Sequence, residues 1–135
     1  MTEKNKIRVL IVDDETHIRT LFKTVMSSMN ALVIGEAKNG EEAVAIFKDK
    51  KPDIVMLDIN MPVKDGTEAL KEIMSEFPDA FVVMMTSVSD METVAKCIDL
   101  GASHYIRKDT PIQEIKKMVK EAWDEYKKSK GEANA

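Results

Sequence analysis

The sequence predicts an α/β fold, a doubly wound (βα)5 three-layer sandwich built on a five-stranded parallel sheet. Short apolar runs alternate five times with segments of helical pattern. Three of the runs are almost continuously apolar, which is typical of strands covered on both faces in a parallel sheet. Parallel strands joined by helices need right-handed crossovers, and these place helices on both sides of the sheet. The runs are IRVLIV (7–12), ALVIGEA (31–37), DIVMLD (53–58), AFVVMM (80–85) and SHYI (103–106).

The first two helices are predicted from side-chain spacing and from a capping pair. Leu21, Val25 and Met29 recur every four residues, which places them on one face of a helix that can pack on the sheet. Asn39 precedes Glu42 by three residues, and this arrangement is typical of the start of a helix. One helix is therefore expected before the second strand in the sequence and another directly after it.

Breakers and caps delimit the elements in the middle of the chain. Pro52 precedes the third strand, so a helix is not expected to continue into it. The fourth helix is expected to start at the capping pair Ser89 and Glu92 and to end at Gly101.

The fifth helix has the strongest start signal. Thr110 and Gln113 form a capping pair, and Pro111 between them suits the first helical position. Ile115 and Val119 then continue an apolar face at a spacing of four residues.

Length and composition indicate one domain. A chain of 135 residues with 44% hydrophobic residues and a net charge of -4 can bury a substantial core. We expect this domain to occupy residues 1–127. Residues 128–135 are polar and small, so a disordered tail is expected there.

The same composition narrows the compartment and the partners. The chain starts with the charged stretch MTEKNK and no long apolar segment, so neither export nor membrane insertion is expected. Cys97 is the only cysteine, which agrees with a reducing compartment. We therefore expect a cytoplasmic protein. The acidic balance gives no sign of direct nucleic-acid binding, so the partner is expected to be a protein or a small molecule.

Polar residues stand at the carboxyl ends of four predicted strands. Asp13 and Asp14 follow the first strand, Asp58 ends the third, Thr86 ends the fourth and Lys108 follows the fifth. In an open parallel sheet these ends meet at one edge, where ligands bind. The sequence therefore predicts a single site that contains all five residues.

Each of these residues also has an ordinary structural interpretation. Asp13 and Asp14 could cap a helix, Asp58 could form a turn, Thr86 could simply end a strand, and Lys108 could be solvated. Three carboxylates in one crevice, however, repel one another unless a cation is present. Mg²⁺ fits this set, because it binds a few carboxylate oxygens together with waters and phosphate oxygens. A carboxylate in such a site can act as the nucleophile in phosphoryl transfer.

Four motifs in fixed order resemble the response-regulator receiver domain. They are IVDD (11–14), LDINMP (57–62), MTS (85–87) and YIRK (105–108), and the resemblance covers about residues 6–127. It implies a flavodoxin-like or CheY-like strand order of 2-1-3-4-5. It also implies a stand-alone regulator of a two-component system, a signalling domain that only catalyses its own phosphorylation and dephosphorylation.

The resemblance assigns the acidic residues to a phosphoacceptor site. Asp58 would accept a phosphoryl group from a histidine kinase or a phosphotransfer protein. Asp13, Asp14, Asp58 and the backbone carbonyl of Asn60 would bind Mg²⁺.

The resemblance assigns the remaining motif residues to the response. Thr86 and Lys108 would contact the phosphoryl oxygens. Thr86 and Tyr105 would form a switch that alters the face made by helix 4, strand 5 and helix 5. The chain ends soon after the fifth helix without a DNA-binding module. Output is therefore expected to pass from a monomer to a downstream protein.

An enzymatic alternative remains open. Mg²⁺-dependent phosphatases of the haloacid dehalogenase type also use an aspartate nucleophile with a Thr or Ser and a Lys. They need a second acidic residue two positions after the nucleophile, where this chain has Asn60. A flavin-binding module on the same fold would need a phosphate cradle rich in Ser, Thr and Gly after the first strand, where this chain has two acids.

Overall fold

A computed structural model describes residues 6–87 and 91–134 of the chain. Its five strands form one parallel sheet in the order β2-β1-β3-β4-β5. This confirms the predicted fold class and strand order. The strands are β1 (Arg8–Val12), β2 (Leu32–Ala37), β3 (Ile54–Asp58), β4 (Phe81–Thr86) and β5 (His104–Arg107).

Five helices in the described residues cover the two faces of the sheet. Successive residues of a strand point to opposite faces of the sheet, so the core forms two clusters. Leu10 belongs to one cluster and Ile11 to the other. Helices α1 and α5 pack on the Ile11 side, and α2, α3 and α4 pack on the Leu10 side. The helices are α1 (Thr16–Ser28), α2 (Gly40–Lys50), α3 (Gly66–Glu76), α4 (Met91–Asp99) and α5 (Ile112–Asn134).

The start signal at Asn39 agrees with the structure, whereas the fifth helix starts one residue later than predicted. The Asn39 side chain accepts a hydrogen bond from the backbone N–H of Glu42, as the capping pair predicts. Helix α5 begins at Ile112, and the carbonyl of Pro111 accepts the first helical bond from Ile115. Pro111 therefore precedes the first helical residue instead of being that residue. The predicted cap at Ser89 lies outside the described residues.

Helix α5 is longer than the sequence suggested. It continues to Asn134, through most of residues 128–135, where a disordered tail was expected. Two contacts hold this part of the helix to the loop before β4: Lys130 forms an ion pair with Asp79, and the Tyr126 hydroxyl donates to the Asp79 carbonyl. The tail was predicted from the local polarity of the sequence, which cannot reveal these contacts because they join residues distant in sequence.

No helix in the described part of the chain is both long enough and apolar enough to cross a lipid bilayer.

Candidate functional site

Three carboxylates meet at the carboxyl edge of the sheet. Strands β1 and β3 are neighbours and pair Val12 with Leu57, so the residues that follow them, Asp13 and Asp58, come side by side. One oxygen from each of Asp13, Asp14 and Asp58 lies within 4.8 Å of the others. Asp13 and Asp58 are buried, whereas Asp14 is exposed.

Lys108 supplies a cation to this cluster. Its ammonium lies 2.8 Å from Asp13 Oδ2 and 3.0 Å from Asp58 Oδ1, and a third carboxylate, that of Glu15, is 3.8 Å away. Burial by itself lowers the pKa of Lys108, but its hydrogen bonds to Asp13 and Asp58 and their charges raise it above the ordinary value. Lys108 therefore stays charged and holds the two buried carboxylates together.

The compensation by Lys108 is incomplete. The pKa of Asp58 is raised from 3.8 to about 7, because burial and the charge of Asp13 raise it more than Lys108 lowers it. Asp58 Oδ2 is buried and has no hydrogen-bond partner among the described residues. A buried carboxylate oxygen without a donor is costly unless a cation or a proton reaches it.

Backbone contacts fix the direction of Asp13. Its N–H donates to the Ala37 carbonyl at 3.0 Å, and its Oδ1 accepts from the Glu15 N–H at 2.8 Å. Arg19 donates to its carbonyl at 2.7 Å and also forms an ion pair with Glu36 on β2. Sequence reasoning missed Glu15 and Arg19, although the position of Arg19 on the second turn of α1, beside the acidic loop, could have indicated it.

The loop after Asp58 is held close to the sheet by two glycines. Gly66 donates to the Ile59 carbonyl at 2.7 Å, and a Cβ at this position would lie 1.9 Å from the Asp58 carbonyl oxygen. Gly40 donates to the Lys64 carbonyl at 2.7 Å, where a Cβ would come within 2.4 Å of that oxygen. Any larger side chain would push this loop away. Asn60, the predicted backbone ligand, lies in this loop directly beyond Ile59.

The remaining predicted residues occupy the neighbouring strands. Thr86 is buried at the end of β4, and its hydroxyl donates to the Ser87 carbonyl at 2.9 Å. The Lys108 N–H donates to the Thr86 carbonyl at 2.8 Å, which ties the loop after β5 to β4. Tyr105 is half-buried on β5 and packs against the core. The described peptide bonds, including those after Lys108, are trans.

The donor set suits a hard divalent cation. The carboxylates of Asp13, Asp14 and Asp58 outnumber the one lysine that bridges two of them, so negative charge remains uncompensated. The unpartnered Oδ2 of Asp58 is available as a ligand. Oxygen ligands with excess negative charge are the set that Mg²⁺ prefers.

Comparison with known proteins decides the family. The model of the response regulator receiver domain matches residues 9–120. The chain belongs to this family. It is 39% identical over 118 residues to the chemotaxis protein CheY of Listeria monocytogenes, covering 84% of this chain and 99% of that protein. It is also 39% identical over 109 residues to protein CcdB of Bacillus subtilis, covering 81% of this chain and 89% of the relative.

A solved structure extends the likeness to three dimensions. The chain resembles a chain in the CheX-CheY-BeF3-Mg complex of Borrelia burgdorferi with a TM-score of 0.82 and 32% identity, covering 87% of this chain and 89% of that one. The protein is therefore a CheY-like receiver domain of a two-component system, and such domains generally act in signalling rather than as true enzymes.

Proposed function

We propose that this protein is a phosphoacceptor in which Asp58 receives a phosphoryl group from the phosphohistidine of a partner histidine kinase or phosphotransfer protein. Asp58 Oδ2 carries the proposal, because it is buried at a strand end with two further carboxylates and a lysine around it. A structural aspartate would have its oxygens satisfied by neighbouring donors.

The chemistry follows from these groups. A carboxylate oxygen of Asp58 attacks the phosphorus, the P–N bond breaks, and the imidazole leaves with the electron pair of that bond and takes a proton from water. The product is an acyl phosphate on Asp58. The Lys108 ammonium, already 3.0 Å from Asp58 Oδ1, can follow the negative charge onto the phosphoryl oxygens.

Asp13, Asp14, Asp58 and the Asn60 carbonyl would hold Mg²⁺. When bound, the ion supplies positive charge that offsets the carboxylates and the phosphoryl oxygens. Arg19 and the Glu15 N–H keep Asp13 in place for this role.

Phosphorylation would alter the contacts of Thr86. A phosphoryl group adds roughly -1.5 to -2 charges and three acceptor oxygens. The Thr86 hydroxyl has one proton, so it must leave the Ser87 carbonyl to donate to the phosphoryl group. Because Lys108 is bonded to the Thr86 carbonyl, both loops would move together and bias Tyr105 and the face formed by α4, β5 and α5.

This face would present the signal to a downstream protein. We further propose that the protein acts in the cytoplasm as a monomer. The lone, buried Cys97 supports a reducing compartment.

Labelling by acetyl phosphate and Mg²⁺, followed by intact-mass measurement, tests the phosphoacceptor. One phosphoryl group per chain is expected, with none on Asp58→Asn and none in EDTA. Asp49→Asn, which alters an exposed aspartate of α2, is the control and should label as the wild type does. Label on Asp58→Asn, or continuous hydrolysis over many equivalents of acetyl phosphate, would contradict the proposal and favour a phosphatase.

Hydrogen exchange tests the switch. Beryllofluoride with Mg²⁺ should change exchange rates in α4, β5 and the start of α5, and Thr86→Ala should reduce that change. Unaltered rates on this face in the activated wild type would rule the switch out.

A further inference from the structure

A groove of about 600 Å³ runs between helices α1 and α5. It reaches residues at the amino ends of β1 and β3, the sheet edge opposite Asp13 and Asp58. Its lining also includes Gln113 and Lys116, in the first turns of α5, which follow the carboxyl end of β5. The apolar residues that line it are Ile7, Met26, Met29, Ala31, Ile54, Val119 and Trp123. Met26, Ile54 and Val119 are almost fully buried, whereas Ile7, Met29 and Trp123 are half-buried.

Four lysines of α5 line this groove, whereas most of the acidic residues of the helix do not. Among the residues that line it, the only acid is Asp124, which is paired with Lys120 at 2.8 Å. The acids Glu114, Glu121 and Glu125 of the same helix do not line it. The net charge of the chain is -4, so this concentration of positive charge is local. The lysines that border the groove are Lys116, Lys117, Lys120 and Lys127.

The shape and chemistry of the groove favour one kind of occupant. A concave channel between two helices fits a rod, and a helix with one apolar face can fill such a channel. The flexible side chain of Met29, which is half-buried, can adapt to different apolar partners. A bilayer presents a flat surface, and a nucleic-acid backbone would not cover the half-buried apolar side chains of Ile7, Met29 and Trp123. We propose that the groove docks an acidic amphipathic helix of a partner protein, with its carboxylates beside the lysines.

The chain contains its own reporter for this binding. Trp123 is the only tryptophan, and it lines the groove. The probe is a fluorescein-labelled synthetic peptide without tryptophan, in which leucines form one helical face and glutamates flank it. It should bind saturably, with matching changes in peptide anisotropy and, for the unlabelled peptide, in Trp123 emission. The same peptide with lysine in place of glutamate should not bind.

Charge reversal on the groove gives the decisive comparison. Lys117→Glu with Lys127→Glu places two negative charges beside the probe and should weaken binding about tenfold. The matched control is Lys71→Glu with Lys128→Glu, which alters two exposed lysines outside the groove by the same net charge and should bind as the wild type does. Both double variants should accept a phosphoryl group on Asp58 normally, so failure of the groove and failure of the phosphoacceptor are separate results.

Four outcomes would overturn the proposal. They are no saturable binding of the acidic probe, equal weakening by the two double variants, groove-dependent binding to phosphatidylserine vesicles or polyuridylate in preference to the peptide, and a dimer that only the groove variant dissociates. The last two would assign the groove to a membrane, to nucleic acid or to a second copy of the chain.

Discussion

The acidic pocket formed by Asp13, Asp14, Asp58 and Lys108 contains buried ion pairs, whereas the lysine-bordered groove has an exposed one. In the pocket, the Lys108 side chain is 17% exposed and its partners Asp13 and Asp58 are almost fully buried. At the groove, the Lys120 side chain is 72% exposed and its partner Asp124 is 52% exposed. Both regions contain ion pairs of similar length, 2.8 Å in each case for the shortest contact.

The difference shows that environment decides what an ion pair does. Water screens an exposed pair, so its contribution to stability is small. Burial makes every unbalanced charge costly, so the pocket has a strong demand for a cation. The pocket is thus suited to chemistry at the expense of stability, and the groove is suited to recognition with little effect on the fold.

The backbone beneath the pocket gives the largest expected effect. Gly66→Ala would place a Cβ 1.9 Å from the Asp58 carbonyl oxygen and 2.9 Å from the Ile59 Cα. Backbone atoms must then move, so we expect the free energy of unfolding to fall by about 4 kcal/mol. Urea denaturation measures it. Gly35→Ala is the control, because its Cβ would meet only side-chain atoms, of Ile46 at 3.4 Å and of Leu10 at 3.6 Å. Equal losses in the two variants would show that the loop tolerates displacement.

The buried charge of Asp58 gives the next effect. Its pKa is about 7 in the folded protein against 3.8 for the ordinary group, so the folded state binds the proton more tightly than the unfolded state. The free energy of unfolding of the metal-free protein should therefore fall as the pH rises from about 4 to about 7. Above that window Asp58→Asn should be more stable than the wild type by roughly 2 to 4 kcal/mol.

Urea denaturation in EDTA at several pH values checks this difference. It should shrink towards acid pH, where Asp58 is protonated in both states. Asp14→Asn removes an exposed carboxylate of the same cluster and should change the pH profile little. A constant advantage of Asp58→Asn at every pH would mean that the side chain's shape, and not its charge, causes the effect.

Removal of the pocket lysine tests its role in phosphoryl transfer. Lys108→Ala should slow labelling by acetyl phosphate about a hundredfold, because a charged donor to the transferred group is lost. Lys64→Ala, in the loop after β3, removes a lysine that is paired with Glu72 and should label at the wild-type rate. Single-turnover labelling at saturating Mg²⁺ measures both. An unchanged rate in Lys108→Ala would show that the lysine is purely structural.

The exposed ion pair gives the smallest effect. Lys120→Ala breaks the pair with Asp124, which water already screens, so the midpoint of urea denaturation should not shift measurably. A shift comparable to that of Gly66→Ala would remove the contrast between the two regions.

Local sequence patterns were sufficient for most of the fold. The predicted strand boundaries lie within one residue of those in the structure, because strands covered on both faces must be apolar along their whole length. The cap at Asn39 is a contact between residues three apart and was equally predictable from the sequence. The end of α5 was not, since it depends on contacts of Lys130 and Tyr126 with Asp79, about fifty residues away.

In the candidate site, too, some features were predictable from the sequence and others only from the structure. Strand ends placed Asp13, Asp14, Asp58, Thr86 and Lys108 at one edge, and the structure brings three carboxylates and the lysine into contact. The roles predicted for these five residues, and those of Asn60 and Tyr105, remain predictions. The support that Arg19 and Glu15 give to Asp13 was missed, because the contacts depend on how α1 leaves the sheet, and the position of Arg19 beside the acidic loop was the one signal for them.

The sequence by itself determined the order and type of the elements and the residues that stand at the strand ends, because periodicity, caps and breakers act over a few neighbouring residues. Only the tertiary structure decided that Asp13 is buried while Asp14 is exposed, that Lys108 bridges Asp13 and Asp58, and that the lysines of α5 border an apolar groove. Burial and charge balance arise from segments distant in sequence, and they exist only once the sheet has brought those segments together.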